Sequence, residues 1–273
     1  MQNFIHFLAK NPKDIRMVFI ADLHLSDSTP AINQAFLAFI KQLSILPKLE
    51  SLYILGDWLD AWIGDDDYLT LSDDEKSKHW LTPILQSLKK ISNKIKIHIM
   101  HGNRDFTIRQ GLCHIIDAQL IKEPYYLNSQ TDQNNHKLYR LEHGDGLCTD
   151  DKHYQYYRKA IRNPMVSWLL LKQPLASRRQ LAQKIKNKSK KSKIQKPIDI
   201  MDVNTKVAEK TLKNCDVIIH GHTHRPAVHH HIHGKKRLVL GDWRYHDNKV
   251  QAVIGVMSDS SNEVGLYEFI HHI

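Results

Sequence analysis

The stretch MVFIADLHLS, residues 17–26, joins a short apolar run to two polar side chains, Asp22 and His24. A run of this length, rich in β-branched and aromatic residues, is typical of a buried strand. The carboxylate and the imidazole follow where that strand would end and the chain bends, so both side chains can turn toward one ion. This stretch therefore predicts a strand with a metal-binding loop at its carboxyl end.

An apolar run followed by polar side chains recurs four times along the chain. A single Asp-x-His or His-Gly-Asp is more often a turn with a capping aspartate, so only the joint occurrence in this order is informative. Together the motifs supply seven side chains that can bind metals, which favours a two-metal phosphoesterase. The further motifs are Gly56-Asp57 after LYIL, Gly102-Asn103-Arg104-Asp105 after IKIHIMH, His143-Gly144-Asp145 after KLYRLE, and Gly221-His222-Thr223-His224 after DVIIH.

The residue types fit a pair of divalent cations. Two cations about 3.5 to 4 Å apart can activate one water and hold both the attacking and the leaving oxygen of a displacement at phosphorus. Mixed nitrogen and oxygen ligands suit manganese, iron or zinc better than calcium or magnesium, and we expect two manganese ions. Asp57, alone at its strand end, is the natural bridge, because one ionised carboxylate has lone pairs for two metals.

The order of these motifs resembles that of the calcineurin-like metallophosphoesterase superfamily, and the resemblance covers almost the whole chain. A finer pattern is similar to the UDP-2,3-diacylglucosamine hydrolase family of bacterial lipid A biosynthesis. Most superfamily members carry a histidine after the Gly-Asn pair, whereas this chain has Arg104, as the lipid A enzymes do. The stretches that carry the finer resemblance are IADLHLS, LYILGDWLDAWIGDDD, HGNRDF, HGDGLCTDD, IMDVN and HGHTHRPAVH.

The resemblance implies a role for each matching position. It assigns one metal to Asp22, His24, Asp57 and His224, and the other to Asp57, Asn103, His143 and His222. The catalytic residues that it implies are Asp57, Asn103, Arg104 and His143. The substrate contacts that it implies are Asn103, Arg104, Asp151, Ser189, Lys193, Lys196 and His222. At Lys193 the chain departs from the family, which has asparagine at that position.

The resemblance also implies a reaction, the hydrolysis of the diphosphate of UDP-2,3-diacylglucosamine to 2,3-diacylglucosamine 1-phosphate and UMP. Water activated by the two metals would attack the alpha phosphorus, on the uridine side, and Arg104 would stabilise charge in the transition state. Two alternatives stay open. One is another dinuclear-metal phosphodiesterase or nuclease of the superfamily, and the other is a basic membrane-binding module without activity.

The positions of the motifs predict an α/β fold of two β-sheets flanked by helices, in a single domain that spans residues 1–273. The loops that carry the polar side chains would lie together at one edge of the sheets. Shorter strands are expected near each end of the chain. The strand-like runs are 16–21, 51–55, 95–100, 137–142, 216–220 and 237–241, and the helical stretches include 31–46 and 79–92.

One segment, residues 152–198, differs from the rest in charge. It contains 14 of the 39 Lys and Arg residues and no Asp or Glu, so the net charge of +10 is a local excess. Apolar clusters such as residues 165–171 predict short amphipathic helices, broken at Pro164 and Pro174. We call this segment the lid, because as an insertion in the phosphoesterase plan it is expected to stand over the active-site edge.

Three interpretations of the lid are open: a solvated helical hairpin, a nucleic-acid surface, and a cover for an acylated anionic substrate. Nucleic acid would use the charge but not Trp168 and the three leucines after it. An acylated substrate uses both, because basic residues gain about 1 kcal/mol each near anionic lipid and apolar side chains bury acyl chains. We therefore favour peripheral binding to the cytoplasmic face of the inner membrane, without nucleic acid. We also expect a monomer.

Other features narrow the class of protein. No apolar run reaches the eighteen or so residues that span a bilayer. The amino terminus lacks the basic region and the small-residue cleavage site of a signal peptide, which predicts a cytoplasmic protein. Three scattered cysteines predict reduced, buried thiols rather than disulfides or a zinc site.

Several residues near the motifs are not expected to bind metal. Trp58 and Trp62 are expected in the core, and Asp65–Asp67 in a turn with caps. Asp105 and Asp145 are expected to orient neighbouring ligands by hydrogen bonds. An exposed strand is expected to carry the histidine tract of His229, His230, His231 and His233.

Overall fold

The computed structural model describes residues 1–130, 136–195, 198–261 and 263–273, without the side chains of residues 130, 188–195, 198 and 199. Within these residues the strands are β1 (Gln2–Asn3), β2 (Ile15–Ile20), β3 (Ser51–Leu55), β4 (Lys96–Met100), β5 (Ala118–Ile121), β6 (Tyr125–Gln130), β7 (His136–Leu141), β8 (Val217–His220), β9 (Ala227–His230), β10 (Lys236–Val239), β11 (Arg244–His246), β12 (Lys249–Ser258) and β13 (Val264–His272).

The helices lie mainly between the strands, as expected for α/β packing. They are α1 (Phe4–Lys10), α2 (Pro30–Ser44), α3 (Asp66–Leu69), α4 (Asp73–Lys78), α5 (Thr82–Ser92), α6 (Gln110–Ile115), α7 (Lys152–Ile161), α8 (Pro164–Leu171), α9 (Leu175–Gln195) and α10 (Thr205–Leu212), with short 3-10 turns at Ile198–Met201 and Ile232–Gly234.

The strands form two sheets. The first has the order β1-β13-β12-β2-β3-β4-β5, with β11 paired to β12, and the second has the order β6-β7-β8-β10-β9. Strands β2 to β5 are parallel neighbours, as are β7, β8 and β10. Because parallel strands place their carboxyl ends at the same edge, the loops after β2, β3, β4, β7 and β8 come together. The predicted fold, two sheets flanked by helices, is confirmed.

Strand β2 shows why these strands are continuously apolar in sequence. Its side chains alternate, so Val18 and Ile20 enter the core under the helices, whereas Phe19 and Ala21 enter the core between the two sheets. All four are fully buried. A strand covered on both faces has no polar face, and its sequence therefore reads as an unbroken apolar run.

The outer faces of the sheets are covered by helices. Helix α2 packs its apolar stripe, including Phe36 and Phe39, on the first sheet, where both rings meet Trp243 edge-on. Helix α1 adds Phe4 to the same core, with its ring centroid 5.8 Å from that of Phe39. Helix α10 covers the outer face of the second sheet through a smaller cluster that includes Leu212.

The lid sequence forms α7, α8 and α9. Helix α8 begins at Pro164, and the Asn163 side chain caps it by accepting a hydrogen bond of 2.9 Å from the Met165 N–H. Helix α9 begins directly after Pro174, because proline restricts the residue before it and favours a new helix start. The prediction of short helices was wrong for α9, which is 21 residues long.

The carboxyl-terminal strands were also predicted wrongly, as short. Strand β12 has 10 residues and β13 has 9, and they pair with each other from Lys249 to Met257 of β12. Single glycines in both, Gly255 and Gly265, interrupt the apolar alternation by which strands are recognised in sequence. The other predicted strands agree with β2, β3, β4, β7, β8 and β10 to within two residues at each end.

Burial confirms two smaller predictions. Trp58 and Trp62 lie in the core under the helices, and all three cysteines are free and buried. Burial raises the pKa of the Cys113 and Cys148 thiols to about 12, which keeps them protonated and unreactive.

In the part of the chain that the structure describes, no helix has the length and apolar character needed to cross a membrane.

Candidate metal centre

The seven predicted ligand residues come together at the shared edge of the two sheets. Backbone hydrogen bonds hold the loops in register: the Asp22 N–H donates to Gly56 O at 3.1 Å, and the His24 N–H donates to Asp57 O at 2.9 Å. The side chains are largely withdrawn from water, with His143 fully buried and Asp57 only 2% exposed. They are Asp22, His24, Asp57, Asn103, His143, His222 and His224.

Five of these residues have left-handed backbone conformations. Positive φ angles are uncommon outside glycine and cost of order 1 kcal/mol or more, so a cluster of them marks a loop shaped for function. The left-handed backbone turns each side chain sharply away from the strand before it. The φ angles are 54° at Asp22, 51° at His24, 52° at Asp57, 67° at His222 and 55° at His224.

Two glycines allow the loops to approach one another. A Cβ atom on Gly102 would overlap the backbone nitrogen and carboxylate of Asp57, and one on Gly221 would overlap the carboxylate of Asp22. Neither overlap could be relieved by a flexible side-chain tip, because each carboxylate is fixed in the buried centre. Glycine at these positions in the motifs is thus required by packing.

A first group of side chains could hold one metal ion. Ligand atoms of Asp22, His24 and His224 all lie within 4.8 Å of one another. His224 Nε2 is 3.6 Å from Asp22 Oδ1, too far for a hydrogen bond but suited to two ligands of one ion. The His24 Nδ1 atom faces Asp57 Oδ2 at 3.8 Å, which brings the predicted bridging carboxylate to the same place.

A second group lies on the other side of Asp57. His143 Nε2 is 3.8 Å from Asp57 Oδ1 and 3.1 Å from Asn103 Oδ1. The Asn103 carboxamide oxygen is also 3.2 Å from His222 Nδ1. Asp22, Asp57 and His143 form a further set whose ligand atoms lie within 4.8 Å. Asp57 thus stands between the two groups, as a bridge requires.

Two imidazoles are oriented by acceptors behind them. His143 Nδ1 is 3.0 Å from Leu55 O, so a proton on Nδ1 leaves Nε2 as the free lone pair that faces Asp57. His224 Nδ1 is 3.0 Å from Asp242 Oδ2, which leaves its Nε2 facing Asp22. Such partners fix the tautomer and raise the basicity of a ligating histidine.

The charges of the buried carboxylates dominate two of the histidines. Burial lowers the pKa of His143, but Asp57 and Asp22 outweigh it and raise that pKa to about 9. Burial also lowers the pKa of His224, but the negative charges of Asp22 and Asp242 outweigh it and raise that pKa to about 9. The site therefore attracts positive charge, which a divalent cation supplies by replacing protons.

The other two histidines favour the neutral form that binds metals. Burial lowers the pKa of His24 to about 4, and burial together with the nearby His143 charge lowers that of His222 to about 3. Burial also raises the pKa of Asp57, which shares its environment with the Asp22 carboxylate. Mutually close carboxylates of this kind are stabilised by cations.

Buried atoms without partners test whether the residues fit a metal. Among the described residues, Asp22 Oδ1 and His24 Nδ1 are buried and accept or donate no hydrogen bond. Orphaned polar atoms are costly, and both of these face the first group of ligands. The donor set of carboxylates, imidazoles and a carboxamide therefore fits divalent cations of the manganese, iron or zinc type.

Asp105 orients two ligand loops through their backbone groups. It accepts hydrogen bonds from the backbone N–H groups of Gly102 and Trp58, at 2.7 and 2.8 Å, and makes no hydrogen bond to a ligand side chain within the described residues. The carboxylate thus ties the Gly-Asn loop to the Gly-Asp loop. These hydrogen bonds fix the backbone beside Asn103 and beside Asp57, in agreement with the prediction that Asp105 orients neighbouring ligands.

Asp145 is also held by groups other than the ligands. It is fully buried and accepts a hydrogen bond of 2.8 Å from the Tyr154 hydroxyl, while Arg158 and Arg162 form ion pairs with it. The Tyr154 ring stacks on His222 with centroids 5.7 Å apart. Helix α7 therefore packs directly against a candidate ligand, and the direct orientation of ligands by Asp145 was wrongly predicted.

The structure adds residues that sequence reasoning missed. Asp242, Tyr154, Arg158 and Arg162 all contact the centre or its supports, although none belongs to the five motifs. Only Asp242 carried a signal, since Gly-Asp-Trp follows the apolar run of β10 in the same way that Gly-Asp follows β3. The others are separated in sequence from their partners and could not be assigned to them.

The predicted substrate contacts are only partly within the described structure. Asn103 and Arg104 line a cleft between the lid and the first sheet. Asp151 caps α7 by accepting a hydrogen bond of 3.1 Å from the Tyr154 N–H. Lys196 and the side chains of Ser189 and Lys193 lie outside the described residues.

The cleft beside Arg104 is mostly apolar. Lid helices α8 and α9 form one wall, and the loops after β3 and β4 form the other. Apolar side chains dominate, with a guanidinium and a carboxamide close to the metal centre, as in pockets for amphipathic ligands. The apolar lining includes Trp62, Phe106, Leu170, Leu181 and Ile185.

Acidic residues near the cleft anchor the lid. The buried Arg178 guanidinium donates to Ile63 O at 2.6 Å and to Asp66 Oδ1 at 2.9 Å. Two further ion pairs join the same parts of the chain, Arg179 to Asp67 and Lys186 to Asp60. Asp66 and Asp67, predicted to lie in a turn with caps, thus also serve as lid contacts. In the same run, Asp65 accepts from the N–H of Leu112 at 2.7 Å.

Comparison with known families agrees with this arrangement. The sequence model of calcineurin-like phosphoesterases matches residues 15–226, which include all seven candidate ligands. The chain therefore belongs to the calcineurin-like phosphoesterase family. Membership makes it a metal-dependent hydrolase, and the centres of this family are dinuclear.

Individual relatives are more specific. A Pseudomonas aeruginosa protein named UDP-2,3-diacylglucosamine hydrolase is 38% identical over 233 residues, covering 83% of this chain and 90% of that protein. A Coxiella burnetii protein of the same name is 38% identical, covering 84% of this chain and 89% of that protein. The crystal structure of a dimetal phosphatase from Danio rerio is 13% identical and covers 95% of this chain and 99% of its own, with a TM-score of 0.46.

Proposed function

We propose that this protein hydrolyses UDP-2,3-diacylglucosamine to 2,3-diacylglucosamine 1-phosphate and UMP, a step of lipid A biosynthesis. The observation that carries the proposal is the juxtaposition of a two-metal centre with an apolar cleft, joined by Asn103 and Arg104. The diphosphate of the substrate would be hydrolysed at the metal centre, and its acyl chains would lie in the apolar cleft. The names of the relatives at 38% identity support the same substrate.

Two manganese ions are proposed as the cofactors. Asp22, His24 and His224 would hold one ion, Asn103, His143 and His222 the other, and Asp57 both. When bound, the ions lower the pKa of water and neutralise charge on the diphosphate. The protein contributes the fixed geometry, since left-handed loops and hydrogen-bonded imidazoles keep the ligands in place.

Arg104 would bind the diphosphate beside the centre. The backbone N–H of Arg104 donates to Asp57 Oδ1 at 2.8 Å, so the residue is fixed relative to the predicted bridging carboxylate. The planar guanidinium can form two parallel hydrogen bonds to phosphate oxygens, as a single imidazole cannot. It therefore suits stabilisation of charge rather than proton transfer. The leaving group is a phosphate monoester, which leaves readily, so the histidine found in most superfamily members is not needed.

The lid, residues 152–198, is proposed as an insertion within the single domain 1–273 that covers the acyl chains. Leu170, Leu181 and Ile185 reach the cleft from α8 and α9. Each methylene buried there contributes about 0.8 kcal/mol. The proposed contacts of Asp151, Ser189, Lys193 and Lys196 would then meet the polar part of the substrate.

The outer surface of α8 suggests how the enzyme meets its substrate. Met165, Trp168 and Leu169 are 71%, 58% and 50% exposed, and Lys172 lies over the Trp168 ring at 5.5 Å. Apolar and cationic side chains on one surface are typical of helices that lie in the membrane interface. We propose that the monomer binds the cytoplasmic face of the inner membrane through this surface.

Release of UMP tests the proposed reaction. Purified protein with UDP-2,3-diacylglucosamine in detergent micelles is expected to release UMP and the acylated sugar phosphate with manganese, and neither after chelation. Restoration by added manganese would show that the loss is due to the metal. Hydrolysis of a simple phosphodiester without UMP release would instead favour another phosphodiesterase or nuclease of the family, and no hydrolysis with any divalent metal would contradict both.

A charge on the exposed face of α8 is expected to weaken membrane binding. Trp168→Glu removes apolar surface and adds a negative charge near anionic lipid, so affinity for phosphatidylglycerol-containing vesicles should fall by about tenfold or more. Vesicle co-sedimentation measures this. Ile45→Glu, at a residue 77% exposed after α2, is the matched control and should bind as the unaltered protein does. Equal binding of both variants would locate the contact elsewhere.

A further inference from the structure

A second cavity lies on the outer face of the second sheet. Its volume is about 240 Å³, near the lower end of small-molecule sites, which are typically about 300 to 1,000 Å³. None of the seven candidate metal ligands lines it. The lining comes from the loop before α10, the loop after His222, and strands β9 and β10, and it includes Asp202, Thr223, Arg225, His229 and Arg237.

Arg237 is the unusual member of this lining. Its side chain is charged, yet the residue is only 8% exposed. It lies on β10, opposite Ile218 of β8 and His229 of β9. Its Nη1 atom is 3.1 Å from His220 Nε2, a neutral partner. Among the described residues no carboxylate lies within ion-pair distance of it, and its Nε atom has no hydrogen-bond partner. Buried arginines are normally paired, so this one has unused capacity for an anion.

The neighbouring groups add to that capacity. Asp202, the carboxylate of the lining, pairs with Arg225 at 2.6 Å and acts on Arg237 only through its charge at longer range. The Thr223 hydroxyl is buried and has no partner among the described residues. Among the described side chains of the lining, one carboxylate stands against two guanidinium groups, and Arg237 Nε and the Thr223 hydroxyl are the donors without a partner.

We propose that this cavity binds a phosphate group, at a site distinct from the two-metal centre. Arginine pairs with phosphate through two parallel hydrogen bonds, and a hydroxyl donor completes the recognition of a third oxygen. The inferred site does not depend on the proposed hydrolysis. Since Thr223 lies between His222 and His224, an occupied site would contact the loop that supplies two ligands of the centre.

Calorimetric titration with inorganic phosphate tests the site, with the metal centre removed as a competitor. The titrations use the full chain carrying Asp57→Ala, with and without Arg237→Gln. Loss of Arg237 is expected to weaken phosphate binding by about tenfold or more, the effect of one or two charged hydrogen bonds. Lys210→Gln, which removes an exposed charge from α10, is the control and should leave the affinity unchanged.

Thr223→Val keeps the shape of the side chain and covers the case in which Arg237→Gln fails to fold, as judged by thermal unfolding. It is expected to weaken binding several-fold. Undetectable binding to the Asp57→Ala chain, or equal binding with Arg237→Gln or Thr223→Val, would overturn the proposal. If UMP binds more tightly than inorganic phosphate, the phosphate group recognised by the site belongs to a nucleotide. If the two bind equally, the ligand is free phosphate. Either result supports the site.

Discussion

Replacement of Asp57 by asparagine is expected to lower the turnover of UDP-2,3-diacylglucosamine by about 1,000-fold or more. Removal of one group that stabilises charge in a transition state typically lowers turnover by about 100- to 1,000-fold, and this loss lies at the upper end. Asparagine keeps the size of the side chain and tolerates the left-handed backbone at φ 52°, so the loop should keep its shape. What is lost is the negative charge that faces both His24 and His143 at 3.8 Å. The bound metal should fall below two ions per chain.

Release of UMP at saturating manganese and elemental analysis of the bound metal measure the two effects separately. The matched control is Asp117→Asn, at an exposed aspartate with a similar φ of 49° whose carboxylate pairs with Lys89. It should change neither quantity. Turnover within tenfold of the unaltered protein, with two metals retained, would show that Asp57 is not the bridge.

Replacement of Arg162 by alanine is expected to destabilise the fold by about 2 to 3 kcal/mol. The guanidinium contacts two buried carboxylates, Asp145 and Glu123, from helix α7. Removing one partner of a buried pair costs about 3 to 5 kcal/mol, because the remaining charge is left without compensation. Here Arg158 still reaches both carboxylates at 2.8 Å, which reduces the cost.

Unfolding in urea, followed by circular dichroism, measures the change in free energy. The control is Lys89→Ala, which breaks the half-exposed pair with Asp117 and should cost less than about 1 kcal/mol. Arg162→Lys should recover part of the loss, since it restores the charge without the planar group. A loss for Arg162→Ala no larger than that of the control would mean that Arg158 alone compensates both carboxylates.

The candidate metal ligands could be recognised in the sequence because their signal is local. Asp22 and His24 lie two residues apart at one strand end, and each other motif also follows its own apolar run. Parallel strands then bring those ends to one edge, which is a property of the fold rather than of any single residue. The residues that form the centre are therefore visible one motif at a time.

The supports of the centre could not be predicted in this way. Tyr154, Arg158 and Arg162 are lid residues whose partners lie up to 39 positions away, and nothing in their spacing identifies Asp145 or Glu123. The sequence predicts that the basic lid residues meet an anionic substrate or lipid, but Arg178 is buried and paired with Asp66. Part of that charge is thus used within the molecule, through contacts that exist only after folding.

The construction of the centre from the ends of several strands links metal supply to the persistence of the protein. An unfolded chain keeps Asp22 near His24 but separates them from His224 by 202 and 200 positions, so the ions are expected to favour the native state. By mass action, a free ion concentration of about 100 times the dissociation constant would add about 2.7 kcal/mol to the free energy of unfolding. A cell short of the metal would then lose the polypeptide itself to proteolysis, in addition to its activity.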